Sequence, residues 1–140
     1  MDENKNSFDV IITDSSDPVG PAAVLFETPF YMGMFKSLRD GGIVCTQGEC
    51  MWLHLDLIKP LMDSIKTFYT NVSFAYSCVP SYPSGQLGFI LASKGQCDFK
   101  TSVRKPTTEV QDSLKYYTPE MHVAAFSLPA FARRAIYENV

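Results

Sequence analysis

Apolar positions along the chain form short continuous runs that alternate with helically spaced stripes, which is typical of a mixed α/β fold. The first run, 8–13, is rich in β-branched residues and is followed by turn formers, so it predicts a buried strand. A second buried strand is predicted over 43–46. The runs 71–79 and 87–92 predict a third and a fourth strand, which are near enough to pair antiparallel.

Between these runs, apolar residues recur three and four positions apart. Segment 25–38 predicts an amphipathic helix, which Gly41 and Gly42 are expected to end. The stripe over 57–68 predicts a second helix. Because a proline inside a helix removes a hydrogen bond, we expect either a kink at Pro60 or a helix that begins there.

The last third of the chain is less regular. Segment 94–108 is polar and predicts a surface connection, and 123–136 predicts a final helix interrupted at Pro129. The resulting order, β-α-β-α-β-β-loop-α, is the second half of a doubly wound sheet that ends in an antiparallel hairpin. With 140 residues, 46% of them hydrophobic, the chain is long enough for a single domain with a core.

Composition argues against several classes of partner. The net charge is −3 and no basic block is present, which argues against nucleic acid and against anionic membranes. No apolar run approaches the roughly 18 residues of a membrane span, and the polar, acidic residues 1–6 do not resemble a signal peptide. We therefore predict a cytoplasmic protein without a membrane partner.

Four cysteines in a chain without secretory signals predict free thiols rather than a disulfide framework. Cys45, Cys50 and His54 form a grouping that suggests zinc. It lacks the close C-x₂-C spacing of structural zinc sites, so we predict no metal.

The most informative polar segment directly follows the first strand. It is the loop Asp14-Ser15-Ser16-Asp17-Pro18-Val19-Gly20-Pro21. Ligands of open α/β sheets bind outside the carboxyl ends of the strands, which predicts that Asp14 and Asp17 face a substrate. Asp and Ser also bind local backbone N–H groups in turns, so the loop on its own favours a structural turn.

Four motifs, taken in order, resemble the spermidine synthase (polyamine aminopropyltransferase) family. They are the loop 14–21, Gln47-Gly48-Glu49 with Trp52, the segment 80–89 (PSYPSGQLGF), and Tyr116-Tyr117 with 122–126 (HVAAF) and Leu128-Pro129. The resemblance spans nearly the whole chain, and the ordered set is far more specific than any single motif. It implies transfer of an aminopropyl group from decarboxylated S-adenosylmethionine to putrescine, which gives spermidine and methylthioadenosine.

The same resemblance implies a Rossmann-like fold of the class I methyltransferase type. Asp14 matches the catalytic acid–base position of the family. Asp14 and Asp17 match its putrescine-binding aspartates, and Ser15 and Ser16 lie between them in the substrate-binding loop.

Three further motif positions acquire roles by resemblance. Tyr82 matches the tyrosine that holds putrescine, and Pro21 matches a position that lines the donor nucleotide. Gln47 and Glu49 fall near the diamine. The resemblance also implies that the donor is a co-substrate, that no other cofactor is needed, and that the protein is a homodimer or another homo-oligomer.

The chemistry suits these residue types. The amines of putrescine should have a pKa near that of lysine, about 10.4, so the molecule is doubly charged at neutral pH. One ammonium must lose its proton before it attacks the carbon beside a sulfonium, and a carboxylate within reach can accept that proton. Because aspartate is a weak base in water, with a pKa near about 3.9, the site must help by desolvation and positioning. A second carboxylate orients the cation, and a tyrosine supplies a hydroxyl group and an apolar ring.

Other conspicuous residues are predicted to be structural. We expect Trp52 and the aromatic residues of the helices to belong to the core, and His54 and His122 to be satisfied structural histidines. The segment Lys115-Tyr116-Tyr117 is a candidate for a subunit contact.

Some features of the family have no counterpart in this sequence. Its amino-terminal β-domain, Gly-rich donor loop and acidic ribose ligand are not found, and no G-x-G loop precedes a helix. We therefore expect residues 1–140 to form one region, the carboxyl-terminal part of a Rossmann-like catalytic domain. That region would hold half of the acceptor site and be inactive alone. Strand 8–13 would lack neighbours, which predicts self-association or pairing with the missing half.

Two alternative functions stay open. Putrescine N-methyltransferase resembles spermidine synthase closely over this region, but it transfers a methyl group from S-adenosylmethionine to the same diamine. The residues that would discriminate the two lie in the donor site. The other alternative is a non-catalytic chain that acts only in assembly.

Overall fold

The computed structural model of the chain describes residues 4–138, so the outermost residues of the predicted region 1–140 lie outside the described part. Its centre is a four-stranded sheet of order β1-β2-β4-β3. The strands are β1 (Phe8–Thr13), β2 (Leu38–Gln47), β3 (Asn71–Cys78) and β4 (Gln86–Ser93). Strands β1 and β2 are parallel, whereas β4 pairs antiparallel with both β2 and β3. The predicted α/β sheet with a terminal antiparallel hairpin is therefore confirmed.

The helical elements lie between and after the strands. They are a 3₁₀ helix (Gly20–Phe26), α1 (Thr28–Ser37), α2 (Leu55–Ile65), α3 (Thr108–Ser113), α4 (Pro119–Ala124) and α5 (Ala130–Tyr137). Within residues 4–138, none of the helices has the length and apolar character needed to cross a membrane.

One face of the sheet packs against α1, α2 and α5 to form the core. Because side chains alternate along a strand, Val44, Phe74 and Ile90 all point to this face and are fully buried. They meet Met34 of α1 and Met62 of α2, which are also fully buried. Each such side chain stabilises the fold by about 1.5–3 kcal/mol, which makes this layer the principal source of stability.

Strand β1 has the predicted bounds, but its predicted burial is wrong for most of its length. Ile11 packs against the core, whereas Val10 and Ile12 point to the opposite face and are 56% and 77% exposed. Among the described residues, β1 is an outer strand paired only with β2, and no helix covers its second face. The apolar run thus forms a strand with one face exposed.

We expect this apolar edge to make the 140-residue chain self-associate, because an uncovered strand edge pairs readily with another chain. Ile12→Lys should shift the chain towards monomer, since a charged side chain on the exposed face opposes pairing. Sedimentation velocity over a range of concentrations measures this shift. Val103→Lys is the matched control, because Val103 is 93% exposed and lies far along the chain from the sheet edge. A wild-type chain that stays monomeric at the highest concentration would contradict the prediction.

The helix predicted over 25–38 is shorter and begins later. Glu27 is extended, so the chain breaks there and α1 begins at Thr28. At the other end, Leu38 is already part of β2, where it is fully buried and paired with Phe8. Pairing with a distant strand therefore overrides the helical spacing of the apolar residues.

The two glycines predicted to end that helix lie inside β2 instead. Gly41 has a φ of +79°, a conformation that favours glycine. Nearby, the β1–β2 ladder shifts register between the pairs Phe8–Leu38 and Val10–Ile43. The glycines thus allow an irregularity in β2 before the regular ladder resumes.

Helix α2 begins at Leu55, so the alternative that it begins at Pro60 is wrong. Pro60 lies inside the helix with its ring exposed to solvent. The buried side chains of Ile58, Leu61 and Ile65 hold this helix against the core, which offsets the hydrogen bond that proline removes.

The helix predicted over 123–136 is two helices, α4 and α5. Pro129 is the N-cap residue of α5. Because proline biases the residue before it, Leu128, away from helical conformation, the chain breaks between the two helices. Helix α3 was not predicted at all. It begins just after the irregular connection, where the Thr107 hydroxyl accepts the N–H of Val110 and caps it.

Candidate active site

Three segments meet at the rim where β1 and β2 end. They are the loop after β1, the turn Gln47-Gly48-Glu49, and the hairpin loop between β3 and β4. Because β4 runs antiparallel to β2 and Gln47 pairs with Phe89, the start of β4 lies beside the end of β2. The sheet topology therefore encloses a cavity of about 250 Å³ at this rim.

Most of the predicted site residues line this cavity. Those that do are Asp14, Ser15, Asp17, Gln47, Glu49 and Tyr82. Ser16 and Pro21 are exposed and lie outside the lining; Pro21 is the second residue of the 3₁₀ helix that follows the loop. The structure thus brings together every acceptor-site candidate except Ser16, and it leaves the donor-side candidate Pro21 apart from them.

The lining is acidic. It contains the carboxylates of Asp14, Asp17 and Glu49, and it contains no lysine or arginine. Asp14 and Asp17 are exposed, and neither carboxylate has a hydrogen-bond or ion-pair partner among residues 4–138. Two free carboxylates beside a third in one cavity favour a cationic ligand.

Glu49 is the most constrained residue of the cavity. Its side chain is nearly buried, and its backbone has a φ of +61°, which is uncommon for a residue other than glycine. Its Oε1 accepts the Gln47 Nε2–H at 3.1 Å, and its Oε2 lies 2.9 Å from Nδ1 of His54. That second contact is a close polar approach rather than an aligned hydrogen bond, since Nδ1 meets no acceptor at hydrogen-bonding angles. Such strained, buried groups concentrate at functional sites.

Gln47 contributes an unused acceptor. A carboxylate only accepts hydrogen bonds, so Gln47 must turn its NH₂ group towards Glu49. Its carbonyl Oε1 is then buried without a donor among the described residues. An unpaired buried acceptor costs about 1–3 kcal/mol, and a ligand that brings an N–H donor would remove that cost.

Two glycines lock the turn onto β4. The Gly48 N–H donates to the Gly88 carbonyl and the Gly88 N–H donates to the Glu49 carbonyl, each at 2.8 Å. A Cβ atom on Gly88 would overlap the Glu49 carbonyl oxygen and the Phe74 ring, and one on Gly48 would lie 3.0 Å from Ile90. The position of Glu49 therefore depends on a backbone approach that only glycine permits.

The hairpin loop fixes the backbone of Tyr82. Its N–H donates to the Val79 carbonyl at 3.0 Å, and its carbonyl accepts the Gly85 N–H at 2.9 Å. The Val79 N–H closes the loop by donating to the Gly85 carbonyl at 2.8 Å. The ring of Tyr82 is half-exposed at the cavity rim, so the loop presents it to whatever binds there.

A buried network supports the end of β2 beneath the cavity. The hydroxyls of Tyr31 and Thr46 lie 2.8 Å apart, and the Tyr69 hydroxyl donates to the Tyr31 carbonyl at 3.1 Å. Burial raises the pKa of Tyr31 to about 12, so its hydroxyl stays neutral at physiological pH. Thr46, the residue before Gln47, is therefore held by a hydrogen bond between uncharged groups.

His54, predicted to be a satisfied structural histidine, lines the cavity beside Glu49, and its Nδ1 has no hydrogen-bond partner among the described residues, so the structural role stays a prediction. Trp52, predicted to be in the core, is 56% exposed. Its ring contacts that of Phe131 at a tilt of 51°, with ring centroids 4.7 Å apart, and its indole N–H donates to Gln86 Oε1 at 2.9 Å. One signal for His54 was available in the sequence: it precedes a helix at a position where Ser, Asp or Asn is favoured.

His122 lies at a second, apolar cavity of about 310 Å³ on the other face of the sheet. Its Nε2 is 2.8 Å from the Phe99 carbonyl and its Nδ1 is 3.4 Å from the Tyr117 hydroxyl. These contacts tie the irregular connection to α4, which is a structural role. The Tyr116 hydroxyl lies 2.9 Å from Ser77 Oγ, and the subunit contact suggested for this segment stays a prediction.

All four cysteines are free thiols. Burial raises the pKa of the Cys45 thiol, so it is protonated and unreactive at neutral pH. Across residues 4–138, no group of three or more His, Cys, Asp or Glu side chains is placed to hold a metal ion.

The α/β sheet, with a cavity at the carboxyl ends of its parallel strands, has a methyltransferase-like fold of the Rossmann type. Residues 1–101 match the family described as "Spermine/spermidine synthase domain". The chain belongs to this spermine/spermidine synthase family.

Relatives and a solved structure agree with this assignment. The chain is 52% identical over 136 residues to a spermidine synthase of Dictyostelium discoideum, covering 97% of the chain and 48% of that protein. It is 46% identical over 138 residues to putrescine N-methyltransferase 1 of Nicotiana tabacum, covering 92% of the chain and 37% of that protein. A crystal structure of spermidine synthase in complex with the transition-state analogue AdoDATO has a TM-score of 0.78 at 29% identity, over 96% of this chain and 46% of that one. The chain thus spans about half the length of the curated spermidine synthases it matches.

Proposed function

We propose that the protein transfers an aminopropyl group from decarboxylated S-adenosylmethionine to putrescine, giving spermidine and methylthioadenosine. The observation that carries this proposal is the composition of the cavity: three carboxylates, a buried amide oxygen without a donor, and no lysine or arginine. Such a lining suits a cation that donates several hydrogen bonds, and an ammonium group has three N–H donors. Family membership and the names of the relatives support the same acceptor.

In the proposed reaction, Asp14 is the general base. Its carboxylate accepts a proton from one ammonium of putrescine, which leaves a neutral amine with a lone pair. That lone pair attacks the aminopropyl carbon beside the sulfonium. A C–N bond forms as the C–S bond breaks, and the bonding electrons stay on sulfur to give the neutral thioether methylthioadenosine.

The remaining residues of the cavity hold the acceptor in this proposal. Asp17, Ser15 and Tyr82 bind putrescine from the outer rim, and Gln47 and Glu49 bind it from the inner wall. Gln47 Oε1 then gains its missing donor from an ammonium of the ligand.

The donor side of the proposal rests on one position outside this cavity. Pro21 is exposed further along the same loop and would contact the donor nucleotide, whereas Ser16, between Asp14 and Asp17, stays a predicted acceptor-binding residue. The donor is a co-substrate, and the proposal needs no resident cofactor or metal. The cytoplasmic location and the homodimer expected from the sequence stay predictions.

A second candidate is methyl transfer to putrescine, which the similarity to putrescine N-methyltransferase favours. Incubating the full-length protein with putrescine and each donor separates the two reactions. We expect spermidine and methylthioadenosine from decarboxylated S-adenosylmethionine, identified by mass spectrometry, and no product from S-adenosylmethionine. Methylated putrescine as the only product would replace the first proposal by the second, and no product with either donor would contradict both.

Asp17→Asn and Tyr82→Phe should raise the KM for putrescine more than they lower kcat, because these side chains hold the acceptor without reacting. Loss of one hydrogen bond to a charged group corresponds to an increase of KM by about tenfold or more. Steady-state kinetics with varied putrescine measures both constants. Asp112→Asn and Tyr116→Phe are matched controls, since both residues are exposed and lie outside the cavity. A fall in kcat at unchanged KM would move either residue from binding to chemistry.

A further inference from the structure

His54 stands at the start of α2 in an unusual way. Its backbone caps the helix: its carbonyl accepts the N–H groups of Leu57 and Ile58, both at 3.0 Å, and its own N–H donates to the Cys50 carbonyl at 2.9 Å. Its side chain makes no capping hydrogen bond, although this position favours Ser, Asp or Asn for that purpose. The ring is instead turned into the cavity, which a purely local role does not explain.

The ring meets the most constrained carboxylate of the cavity. His54 Nδ1 lies 2.9 Å from Glu49 Oε2, while Gln47 Nε2 donates to Oε1 at 3.1 Å. Each oxygen of the Glu49 carboxylate therefore has one close polar side chain beside it. The backbone of Glu49 is held separately, by the hydrogen bond between its carbonyl and the Gly88 N–H.

These contacts place the His54 ring where it can influence the orientation of the Glu49 carboxylate. With the backbone of Glu49 already fixed, the two flanking side chains decide only how its carboxylate is rotated. Rotation of that group would also release the Gln47 amide, whose orientation depends on donating to Oε1. His54 is the only basic side chain in the cavity lining, so no other described residue of the lining can replace its contact with Oε2.

We propose that His54 is a positioning residue, which orients the carboxylate of Glu49 and through it the Gln47 amide for acceptor binding. This inference rests on the proposed function, in which Glu49 and Gln47 bind putrescine. It assigns His54 no proton transfer and no direct contact with the reacting atoms.

The test uses two substitutions that keep the helix cap and differ only in their reach towards Glu49. His54→Asn places an amide N–H near the position of Nδ1 and is a favoured capping residue. His54→Ser caps equally well, but its side chain is too short to contact Glu49. Asp56→Asn, in the first turn of the same helix and outside the cavity lining, is the control.

We expect His54→Ser to raise the KM for putrescine about tenfold and His54→Asn to raise it by less than about threefold, with kcat changed little in either. Melting temperatures should be similar for the two variants. If His54 only capped the helix, KM would change in step with the melting temperature. His54→Ser, which keeps the cap, would then leave both values at those of the wild type. A wild-type KM in His54→Ser would overturn the proposal.

A double-substitution cycle gives a second readout. If His54 acts through Glu49, His54→Ser should raise KM little further once Glu49→Gln is present. If the factors by which the two single substitutions raise KM simply multiply in the double variant, the two residues act independently and the proposal is overturned. Calorimetric titration with putrescine separates this outcome from failure of the proposed function. Binding without aminopropyl transfer would remove only the proposed reaction, and the Kd values of the variants would still decide the role of His54; a wild type that does not bind putrescine would overturn both.

Discussion

Asp14→Asn in the full-length protein should lower kcat for aminopropyl transfer by about 10²–10⁴-fold, the usual loss when a general base is removed. An amide cannot accept the ammonium proton, so the attacking lone pair is rarely available. The KM for putrescine should change much less, because Asp17, Glu49 and Tyr82 still line the cavity. Spermidine formed per unit time at saturating putrescine measures the effect.

Asp9→Asn is the matched control for this substitution. Asp9 lies in β1, the strand that precedes the Asp14 loop, and forms a surface ion pair with Arg39, with 2.6 Å between Oδ2 and Nη1. An exposed pair contributes only about 0–1 kcal/mol, so activity should be retained. A near-normal kcat in Asp14→Asn would exclude this residue as the base and leave Asp17 or Glu49 as the remaining carboxylates of the cavity.

Gly88→Ala should damage both stability and acceptor binding. The added methyl group would overlap the Glu49 carbonyl oxygen and the ring of Phe74, neither of which has room to move within the core. Overpacking of this kind costs about 1–3 kcal/mol, so the melting temperature should fall. Because the turn must separate from β4, Glu49 also leaves its position, and we expect the KM for putrescine to rise by about tenfold or more.

Gly95→Ala distinguishes general strain from loss of the turn. Its added methyl group would lie 3.1 Å from Gly41 Cα, just after the far end of β4, where it is tight but remote from the cavity. It should lower the melting temperature without changing KM. Thermal unfolding and steady-state kinetics on both variants compare the two effects. A Gly88→Ala protein with normal KM would show that Glu49 does not depend on this backbone contact.

The sequence by itself determined the elements that depend on neighbouring residues. The β-branched run at 8–13 gave the bounds of β1, and two nearby strand patterns gave the β3–β4 hairpin. The position of polar residues directly after the first predicted strand placed Asp14 at the rim of the sheet, and the resemblance to the family added Glu49 and Tyr82; all three line one cavity in the structure. These predictions succeeded because strand periodicity and the strand-end location of ligand sites are both visible in local patterns.

Where long-range contacts compete with those local patterns, only the tertiary structure decided the outcome. Helix α1 ends before Leu38 because that residue pairs with Phe8, thirty positions away in the chain. The exposure of Ile12 depends on which elements cover the sheet, and the overlap at Gly88 depends on the close approach of the Glu49 turn.

The role of His54 shows the same limit at the site itself. Its sequence neighbourhood indicates a helix start, and nothing in that neighbourhood tells whether the ring caps the helix or turns towards Glu49. That choice follows from the positive φ of Glu49 and from the way β4 holds its turn. Local spacing specifies elements, whereas the direction of a side chain across a cavity is set by backbones that meet only when the sheet has formed.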